Sequence, residues 1–211
     1  MATSEAGPTV FVVDDDDDVR NGLMALLESV NISCESFRST REFLTRKPPD
    51  GPSCLILDVR LPGSSGLDFQ AELINAQVHI PIIFISGHGD VAMTVRAMKA
   101  GAVGFFTKPV HEQDLLDSIN AALSRDRERR ERDVAHEVLR ARYETLSARE
   151  KQVMAMVTAG MLNKQSAATI GLSEVTVKVH RHNVMKKLGA KSLPELVRIA
   201  DMLGIEHKPG V

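Results

Sequence analysis

The chain has 211 residues and a formal net charge of −2, so it is long enough for one large domain or two small ones. It contains no run of about 18 apolar residues and no signal-peptide pattern at its N-terminus, which argues against a membrane span or export and predicts a cytoplasmic protein. Residues 1–124 hold 17 acids against 9 Lys and Arg, whereas residues 143–211 hold 6 against 10, and this basic second half favours a separate domain with a polyanionic partner.

The N-terminal part of the chain alternates between short apolar runs and helix-like stretches. Such alternation is typical of buried parallel strands in βαβ units. It predicts a five-stranded doubly wound parallel α/β sheet of the flavodoxin type over residues 8–124, with strands near 9–13, 33–37, 53–57, 81–85 and 103–106. Turn-forming segments separate these strands from helices near 17–29, 40–46, 67–76, 90–101 and from 112 onward. Cys34 and Cys54 fall within strand-like runs, which predicts free thiols.

Reactive side chains stand at the ends of four of these strands. Asp14 and Asp15 follow the first strand, Asp58 the third, Ser86 the fourth and Lys108 the fifth. Because ligands bind parallel sheets outside the carboxyl ends of the strands, we expect these groups to share one crevice. The carboxylates suit Mg²⁺, which prefers hard oxygen ligands. Asp58 can accept a phosphoryl group as an acyl phosphate, while Lys108 and Ser86 bind the phosphoryl oxygens.

The motifs around these residues resemble the receiver domain of a two-component response regulator. Leu61-Pro62-Gly63 follows the third strand end, and Ala97-Met98-Lys99-Ala100-Gly101-Ala102 precedes the last strand. Gly87-His88-Gly89-Asp90-Val91 further resembles the FixJ-like subgroup, and His88 is expected to be a surface loop residue. The resemblance covers residues 8–124.

This resemblance implies a particular chemistry and a switch. A partner histidine kinase would phosphorylate Asp58, and Mg²⁺ would bind Asp14 through water, Asp15, Asp58 and the backbone carbonyl of Arg60. Ser86 would turn toward the phosphoryl group and Phe105 would turn inward with it, which reshapes the face around the fourth helix and the fifth strand. The family pattern also implies a cis peptide bond between Lys108 and Pro109.

The fifth helix is predicted to continue beyond the first domain. Residues 125–142 are interpreted as a solvated helical linker, because the segment begins with a run that is polar on every side and contains no Gly or Pro. A weak apolar stripe at Val134 and Val138 leaves a second interpretation open, in which this helix pairs with that of another chain as a short parallel coiled coil.

The C-terminal part, residues 143–206, is helical by pattern. Capping boxes at Ser147 and Ser192 begin two helices. Between them a short helix covers about 163–170, and Ser173 caps a longer one. The short helix, the Gly-containing turn and the longer helix form a helix-turn-helix pattern.

The longer helix combines an apolar side with a basic one. Its inward side is predicted to consist of Val177, Val184 and Leu188, and Lys186 lies on the exposed basic side. The motif from Thr176 to Leu188 closely resembles the DNA-binding domain of the LuxR/FixJ type. For double-stranded DNA the resemblance implies base contacts from Lys178, Val179 and His182. It implies phosphate contacts from Thr176, Arg181 and Lys187.

Ser166 and the last helix of this domain set expectations for packing and assembly. Ser166 stands where the family usually has an aliphatic residue, so its hydroxyl is expected to bond back to the helix backbone at some loss of packing. In the last helix the residues expected to face inward are Leu193, Val197, Ala200 and Leu203. The candidates for a dimer contact are Leu196 and Met202.

The combined pattern predicts a phosphorylation-dependent transcriptional regulator. Phosphorylation of Asp58 would shift the receiver to a homodimerising state that promotes promoter binding, with RNA polymerase as a further partner and no membrane contact. We expect no enzymatic activity beyond phosphorylation and dephosphorylation of Asp58. Two alternatives stay open. One is a phosphatase of the haloacid dehalogenase type with Asp14 as nucleophile, and the other is an adaptor whose basic helix binds protein.

Overall fold

The computed structural model describes residues 7–87 and 90–205, so the expectation for His88 lies outside the described residues. The chain divides into two compact units, Met1–Arg130 and Glu131–Val211, and the division falls within one long helix. In the described part of the chain, no helix combines the length and the apolar character that crossing a membrane requires.

The first unit contains a five-stranded parallel sheet and a small antiparallel ladder. The strands in chain order are β1 (Thr9–Val13), β2 (Ser33–Phe37), β3 (Ser53–Asp58), β4 (Arg60–Leu61), β5 (Ser64–Ser65), β6 (Ile82–Ser86) and β7 (Gly104–Thr107). The sheet order is β2-β1-β3-β6-β7, which is the flavodoxin order of a doubly wound sheet. The five predicted strands are confirmed to within one residue at each end, whereas the β4–β5 ladder was not predicted.

Helices cover both faces of this sheet. In chain order they are α1 (Asp17–Ser29), α2 (Thr40–Leu44), α3 (Gly66–Asn75), α4 (Val91–Lys99) and α5 (Glu112–Glu144). Alternate residues of the strands enter two separate cores. One lies under α2, α3 and α4 and contains Phe11, Phe43, Phe69 and Phe84, and the other lies under α1 and α5 and contains Leu23, Leu27, Leu115 and Ile119. Because both faces are covered, the central strands are apolar without interruption.

Gly66 allows α3 to begin directly against the strand that ends at Asp58. A Cβ atom at this position would lie 2.3 Å from the Asp58 carbonyl oxygen and 3.2 Å from the Leu57 side chain. Only glycine fits such a close approach. The Gly66 N–H donates to the Val59 carbonyl oxygen over 2.9 Å, so the turn that carries Asp58 is held closely against α3.

A buried carboxylate connects α5 to the first residue of β3. Asp126 is buried and accepts a hydrogen bond from the Ser53 backbone N–H over 2.9 Å. Arg129 and Arg130 each donate to the same carboxylate over 2.7 Å. A buried charge needs such pairing. The expectation of a solvated helix from residue 125 is therefore wrong in these turns, since Ser53, 73 positions earlier, decides the environment of Asp126.

The second unit packs the end of α5 with four further helices. These are α6 (Ala148–Thr158), α7 (Asn163–Ile170), α8 (Glu174–Leu188) and α9 (Leu193–Met202), which confirms the four predicted helices. The capping box at Ser147 is present. Ser192 caps α9 as predicted, but the Glu195 carboxylate accepts the Lys191 N–H instead of the Ser192 N–H that a capping box requires. Leu139 and Tyr143 of α5 pack against a core that includes Val153, Met154, Val177, Val184 and Leu196.

Ser166 places a hydroxyl inside this second core. The residue has no exposed surface, and within the described part of the chain its Oγ has no hydrogen-bond partner. The expected bond from the hydroxyl to the helix backbone is therefore not formed. A buried hydroxyl without a partner loses its hydration without compensation, so this position lowers the stability of the second unit.

Replacing Asp126 with Ala is expected to lower the free energy of unfolding by about 2–3 kcal/mol, because the Ser53 N–H then remains buried without an acceptor. Urea unfolding followed by circular dichroism measures this loss. Asp133→Ala, at an exposed position of the same helix, is the matched control and should change the free energy by less than about 1 kcal/mol. Equal losses for the two variants would contradict the anchoring role of Asp126.

Replacing Ser166 with Ala is expected to raise the free energy of unfolding by about 1 kcal/mol, because a hydroxyl without a partner is removed. The same substitution at Ser173, whose side chain accepts the Thr176 N–H at the start of α8, should lower it by about 1 kcal/mol. Thermal and urea unfolding of the two variants give both values. A destabilised Ser166→Ala variant would show that this hydroxyl has a partner.

Candidate functional site

Three carboxylates meet at the carboxyl ends of β1 and β3. Asp14 and Asp15 follow β1, Asp58 ends β3, and one carboxylate oxygen from each lies within 4.8 Å of the others. Asp14 and Asp58 are buried, whereas Asp15 is exposed. Negative charges this close repel one another, and burial removes the water that would screen them. The three oxygen donors fit a hard divalent cation such as Mg²⁺.

Arg20, which belongs to none of the sequence motifs described above, binds the backbone at Asp14. Arg20 of α1 is buried and donates from Nη1 to the Asp14 carbonyl oxygen over 2.6 Å. The Asp16 N–H donates to the Asp14 carboxylate over 3.0 Å. Arg20 precedes Leu23 and Leu27 by three and seven positions, so the helical spacing places it on the buried side of α1. The spacing does not reveal its carbonyl partner.

Lys108 brings a cation to these carboxylates from the end of β7. Its Nζ lies 2.6 Å from Asp14 Oδ2 and 3.5 Å from Asp58 Oδ1. Its backbone N–H donates to the Ser86 carbonyl oxygen over 2.8 Å, and the predicted cis peptide bond to Pro109 is confirmed. Burial works against the ammonium charge, but the Asp14 and Asp58 carboxylates outweigh it and raise the pKa of Lys108.

Asp58 lies in surroundings that disfavour its negative charge. Burial raises the pKa of the Asp58 carboxyl, and Asp14 raises it further. Lys108 and the Arg60 N–H, which donates to Asp58 Oδ2 over 3.2 Å, act in the opposite direction. A divalent cation on these oxygens would favour the carboxylate form, which is the form that can act as a nucleophile.

Ser86 and Phe105 lie on β6 and β7, the two strands that follow β3 in the sheet. Asp58 and Ile85 are partners in the β3–β6 register, and the buried Ser86 is the next residue of β6. Phe105 is partly buried in β7, and its ring centroid lies 6.1 Å from that of Phe84. The fold therefore places Ser86 at the strand end next to Asp58 and the Phe105 ring beside Phe84, and their roles in a switch stay predictions.

In the second unit, α8 separates a buried row of side chains from an exposed one. The buried row consists of Val177, Val184 and Leu188, as predicted. The opposite row is exposed and follows the helical spacing of three and four residues: Val175, Val179, His182 and Lys186. Lys178 is exposed beside this row, and its ammonium lies 3.3 Å from the Glu174 carboxylate. The exposed row is thus available to the major groove of DNA, which admits an α-helix.

Lys187 was predicted to contact a DNA phosphate, but its charge has a partner inside the unit. Its Nζ lies 2.6 Å from Glu150 Oε2 and donates to the Thr145 carbonyl oxygen over 3.2 Å. Glu150 is buried, also accepts the Ser147 N–H over 2.8 Å, and has its pKa lowered, chiefly by the hydrogen bond from Lys187. A phosphate contact would compete with this pair, so the structure adds a structural role for Lys187, and its phosphate contact stays a prediction.

Arg181 and Thr176 also have partners within the unit. Arg181 is half-buried and donates from Nη1 to Asn163 Oδ1 over 3.4 Å. The Thr176 hydroxyl lies 2.8 Å from Ser173 Oγ at the start of α8. The Arg181 guanidinium thus lies beside the first residue of α7, and the Thr176 hydroxyl lies at the start of α8. The phosphate contacts of both residues stay predictions.

The two candidates for a dimer contact on α9 differ in exposure. Leu196 is completely buried in the core of the second unit, so its prediction as a contact is wrong. Met202 is 51% exposed and remains a candidate. Of the four residues expected to face inward, Ala200 is buried, and the half-buried ones are Leu193, Val197 and Leu203. Leu193 and Leu203 also pack against the core, so the prediction differs from the structure at one place, where Leu196 instead of Val197 faces inward.

Comparisons with known families match both units. The family described as response regulator receiver domain matches residues 10–120, and the family described as bacterial regulatory proteins, luxR family, matches residues 144–200. Among solved structures, that of the response regulator StyR has 47% sequence identity and a TM-score of 0.81, and covers 93% of this chain and 99% of that one. Full-length FixJ from B. japonicum has 35% identity and a TM-score of 0.54, over 96% and 99%.

Individual relatives match over nearly the whole chain. Nodulation protein W from Bradyrhizobium diazoefficiens is 54% identical over 196 residues, which cover 93% of this chain and 86% of that protein. Response regulator protein TodT from Pseudomonas putida is 46% identical over 200 residues, covering 95% and 88%. Transcriptional regulatory protein FixJ from Rhizobium meliloti is 43% identical over 194 residues, covering 91% and 94%.

Replacing Glu150 with Gln is expected to lower the free energy of unfolding at pH 7 by about 1–2 kcal/mol, because the charged bond to Lys187 is lost. The folded state lowers the pKa of Glu150, so its contribution is present above the ordinary value of about 4.3 and is lost as the pH falls through the lowered pKa. The difference between the wild type and the variant should therefore shrink below about pH 4.3.

Urea unfolding of both proteins at pH 7 and at acidic pH measures this difference. Glu144→Gln is the control, because Glu144 also pairs with a lysine, Lys151 over 2.7 Å, but at an exposed position. The control should unfold almost as the wild type does. A Glu150→Gln variant as stable as the wild type at pH 7 would contradict the structural role of the Glu150–Lys187 pair.

Proposed function

Because the chain belongs to the phosphorylation-dependent transcriptional regulators that join a receiver domain to a LuxR-type DNA-binding domain, we propose that Asp58 is its phosphoacceptor. The observation that carries this proposal is the position of Asp58 between two other carboxylates and Lys108, whose Nζ lies 3.5 Å from Asp58 Oδ1. A carboxylate at the end of a buried strand, next to a fixed cation, can attack a phosphoryl group and then carry it.

The surrounding groups divide the chemistry among them. Mg²⁺ held by Asp14, Asp15, Asp58 and the Arg60 carbonyl would neutralise charge on the phosphoryl oxygens. Lys108 already faces this crevice and would bind an oxygen of the phosphoryl group, at the expense of part of its contact with Asp14. The donor is a phosphohistidine of a sensor histidine kinase, so Asp58 forms a new O–P bond as the N–P bond to that histidine breaks.

The new charge at Asp58 would change the unit through the strands next to it. Ser86 would donate a hydrogen bond to the phosphoryl group, and Phe105 would follow it inward from its place beside Phe84. The adjacent α4 carries exposed apolar side chains at Val91, Val95 and Met98. This row supports homodimerisation of the phosphorylated receiver through α4 and β7, because exposed apolar patches mark interaction surfaces.

Binding to promoter DNA is proposed for the exposed side of α8. Lys178 and His182 lie four positions apart on this side and would reach base edges, together with Val179. Lys186, which is exposed and has no Glu150 pair to break, would supply a phosphate contact more readily than Lys187. For the domain bounds, we keep 143–206 for the DNA-binding domain but extend the receiver from 124 to 130, because Asp126 is fastened to β3.

The two alternative functions have less support. A phosphatase that uses Asp14 as nucleophile would need this side chain open to substrate, whereas Asp14 is buried and pairs with Lys108 over 2.6 Å. A protein adaptor would not require the LuxR-type match over residues 144–200. A receiver that controls DNA binding uses both units and explains the strand-end residues as well as the exposed basic helix.

Replacing Asp58 with Asn is expected to abolish stable phosphorylation by acetyl phosphate and Mg²⁺, because the carboxamide has nearly the same shape but is not an anionic nucleophile. Phosphate-affinity electrophoresis measures the labelled fraction, and light scattering measures the phosphorylation-dependent dimer. The variant should stay unlabelled and keep the oligomeric state of the unphosphorylated protein.

Asp50→Asn, at an exposed loop position, is the matched control and should be labelled like the wild type. Undiminished labelling of Asp58→Asn would place the phosphoryl group on another residue. Labelling that maps to Asp14 by mass spectrometry would favour the phosphatase alternative.

A further inference from the structure

We propose that Val175 reads the methyl group of a thymine in the major groove and is a specificity-determining residue of this protein. The proposal rests on the DNA-binding function proposed for α8 and adds a residue and a base chemistry to it. Val175 is the second residue of α8, one position before Thr176.

The exposure of Val175 has no explanation in the packing of the second unit. Val175 is 70% exposed and Val179 is 54% exposed, and neither belongs to the core of this unit. Valine is a poorer helix former than Ala, Lys or Glu, because its branched Cβ loses side-chain freedom in a helix. Two exposed valines one turn apart therefore weaken α8 slightly without stabilising the fold, which points to a contact with a partner.

The position of Val175 on α8 identifies that partner. Val175, Val179 and His182 follow one another at spacings of four and three residues, so they form one row. This row lies opposite the buried row that begins at Val177, and Lys178 flanks it. In helix-turn-helix proteins the N-terminal residues of the second helix contact base edges. Two exposed valines that are continued by His182 and flanked by the exposed Lys178 fit a duplex better than they fit an apolar protein surface.

One group in the major groove can make an apolar contact with these valines. Among the base edges in this groove, the C5-methyl of thymine is the apolar feature, and apolar side chains contact it. Removing such a methyl from water against a valine should change affinity about fourfold, from the value for one buried methylene. Val175 should therefore select thymine over cytosine at one position of each half-site, next to the bases that Lys178 and His182 contact.

The test removes thymine methyls one at a time. Duplexes that bind the full-length chain, phosphorylated with acetyl phosphate and Mg²⁺, are enriched from a random pool. Each thymine of the enriched sequence is then replaced by deoxyuridine, which lacks only the methyl group and keeps the base pair. Affinities are measured for the wild type, Val175→Ala, Val175→Thr and the control Val30→Ala, which changes an exposed valine at the end of α1.

For the wild type and the control, deoxyuridine at one thymine per half-site should weaken binding about fourfold. Val175→Ala should bind the unmodified duplex more weakly by a similar factor and should lose its sensitivity at that thymine. Val175→Thr keeps the branched shape but exchanges one methyl for a hydroxyl, so its loss should be intermediate. Circular dichroism should show unchanged helix content, since alanine is the better helix former.

Three results separate the proposal from the function on which it rests. If the wild type enriches no duplex, the DNA-binding function itself fails and the role of Val175 fails with it. If the wild type binds but Val175→Ala keeps the full deoxyuridine effect at every thymine, only the role of Val175 is overturned. The role of Val175 is also overturned if the deoxyuridine effect disappears in Val179→Ala and persists in Val175→Ala.

Discussion

The chemistry of the first unit depends on the crowding of Asp14, Asp15 and Asp58 at one edge of the sheet. The parallel strands β1 and β3 are neighbours, so their carboxyl ends deliver these side chains to one place. Burial and mutual repulsion make this arrangement costly, and Lys108 offsets only part of the cost from the end of β7. A site that carries excess negative charge would attract a divalent cation. A phosphoryl group added there would change the charge next to the neighbouring strand ends.

Buried carboxylates with a structural role obtain the hydrogen bonds that their charge requires from the protein itself. Asp126 accepts a backbone N–H and two arginines, and Glu150 accepts a backbone N–H and a lysine. Because donors of the protein itself compensate the charge of both carboxylates, we expect neither of them to bind a cation. Asp58 receives one backbone N–H and a lysine at 3.5 Å. The lysine of Asp58 is farther away than the 2.6 Å that separates Lys187 from Glu150, and Asp58 shares its surroundings with two other carboxylates. This crowding, rather than the number of donors, distinguishes the candidate reactive carboxylate from the anchoring ones.

The basic residues of α8 are similarly unequal, although the sequence presents them as one cluster. Lys187 belongs to the Glu150 pair and Arg181 contacts Asn163, whereas Lys178 and His182 are exposed. The position around the helix decides this division, because side chains close to the buried row find partners in neighbouring helices. DNA recognition would then depend on the row farthest from the core, which consists of two valines followed by His182 and Lys186. A count of the basic residues of α8 would therefore overestimate the number of side chains that contact DNA.

Local patterns in the sequence were sufficient for the strands, the helix caps and the reactive residues at the strand ends, because each depends on neighbours within a few positions. The family resemblance added the roles of those residues. The sequence did not reveal the partners of Asp126, the internal pairing of Lys187 or the burial of Leu196. Each of these depends on groups from distant parts of the chain, such as Ser53 for Asp126, 73 positions away. Whether a charged side chain is solvated or paired is decided only when the tertiary structure brings its partner beside it.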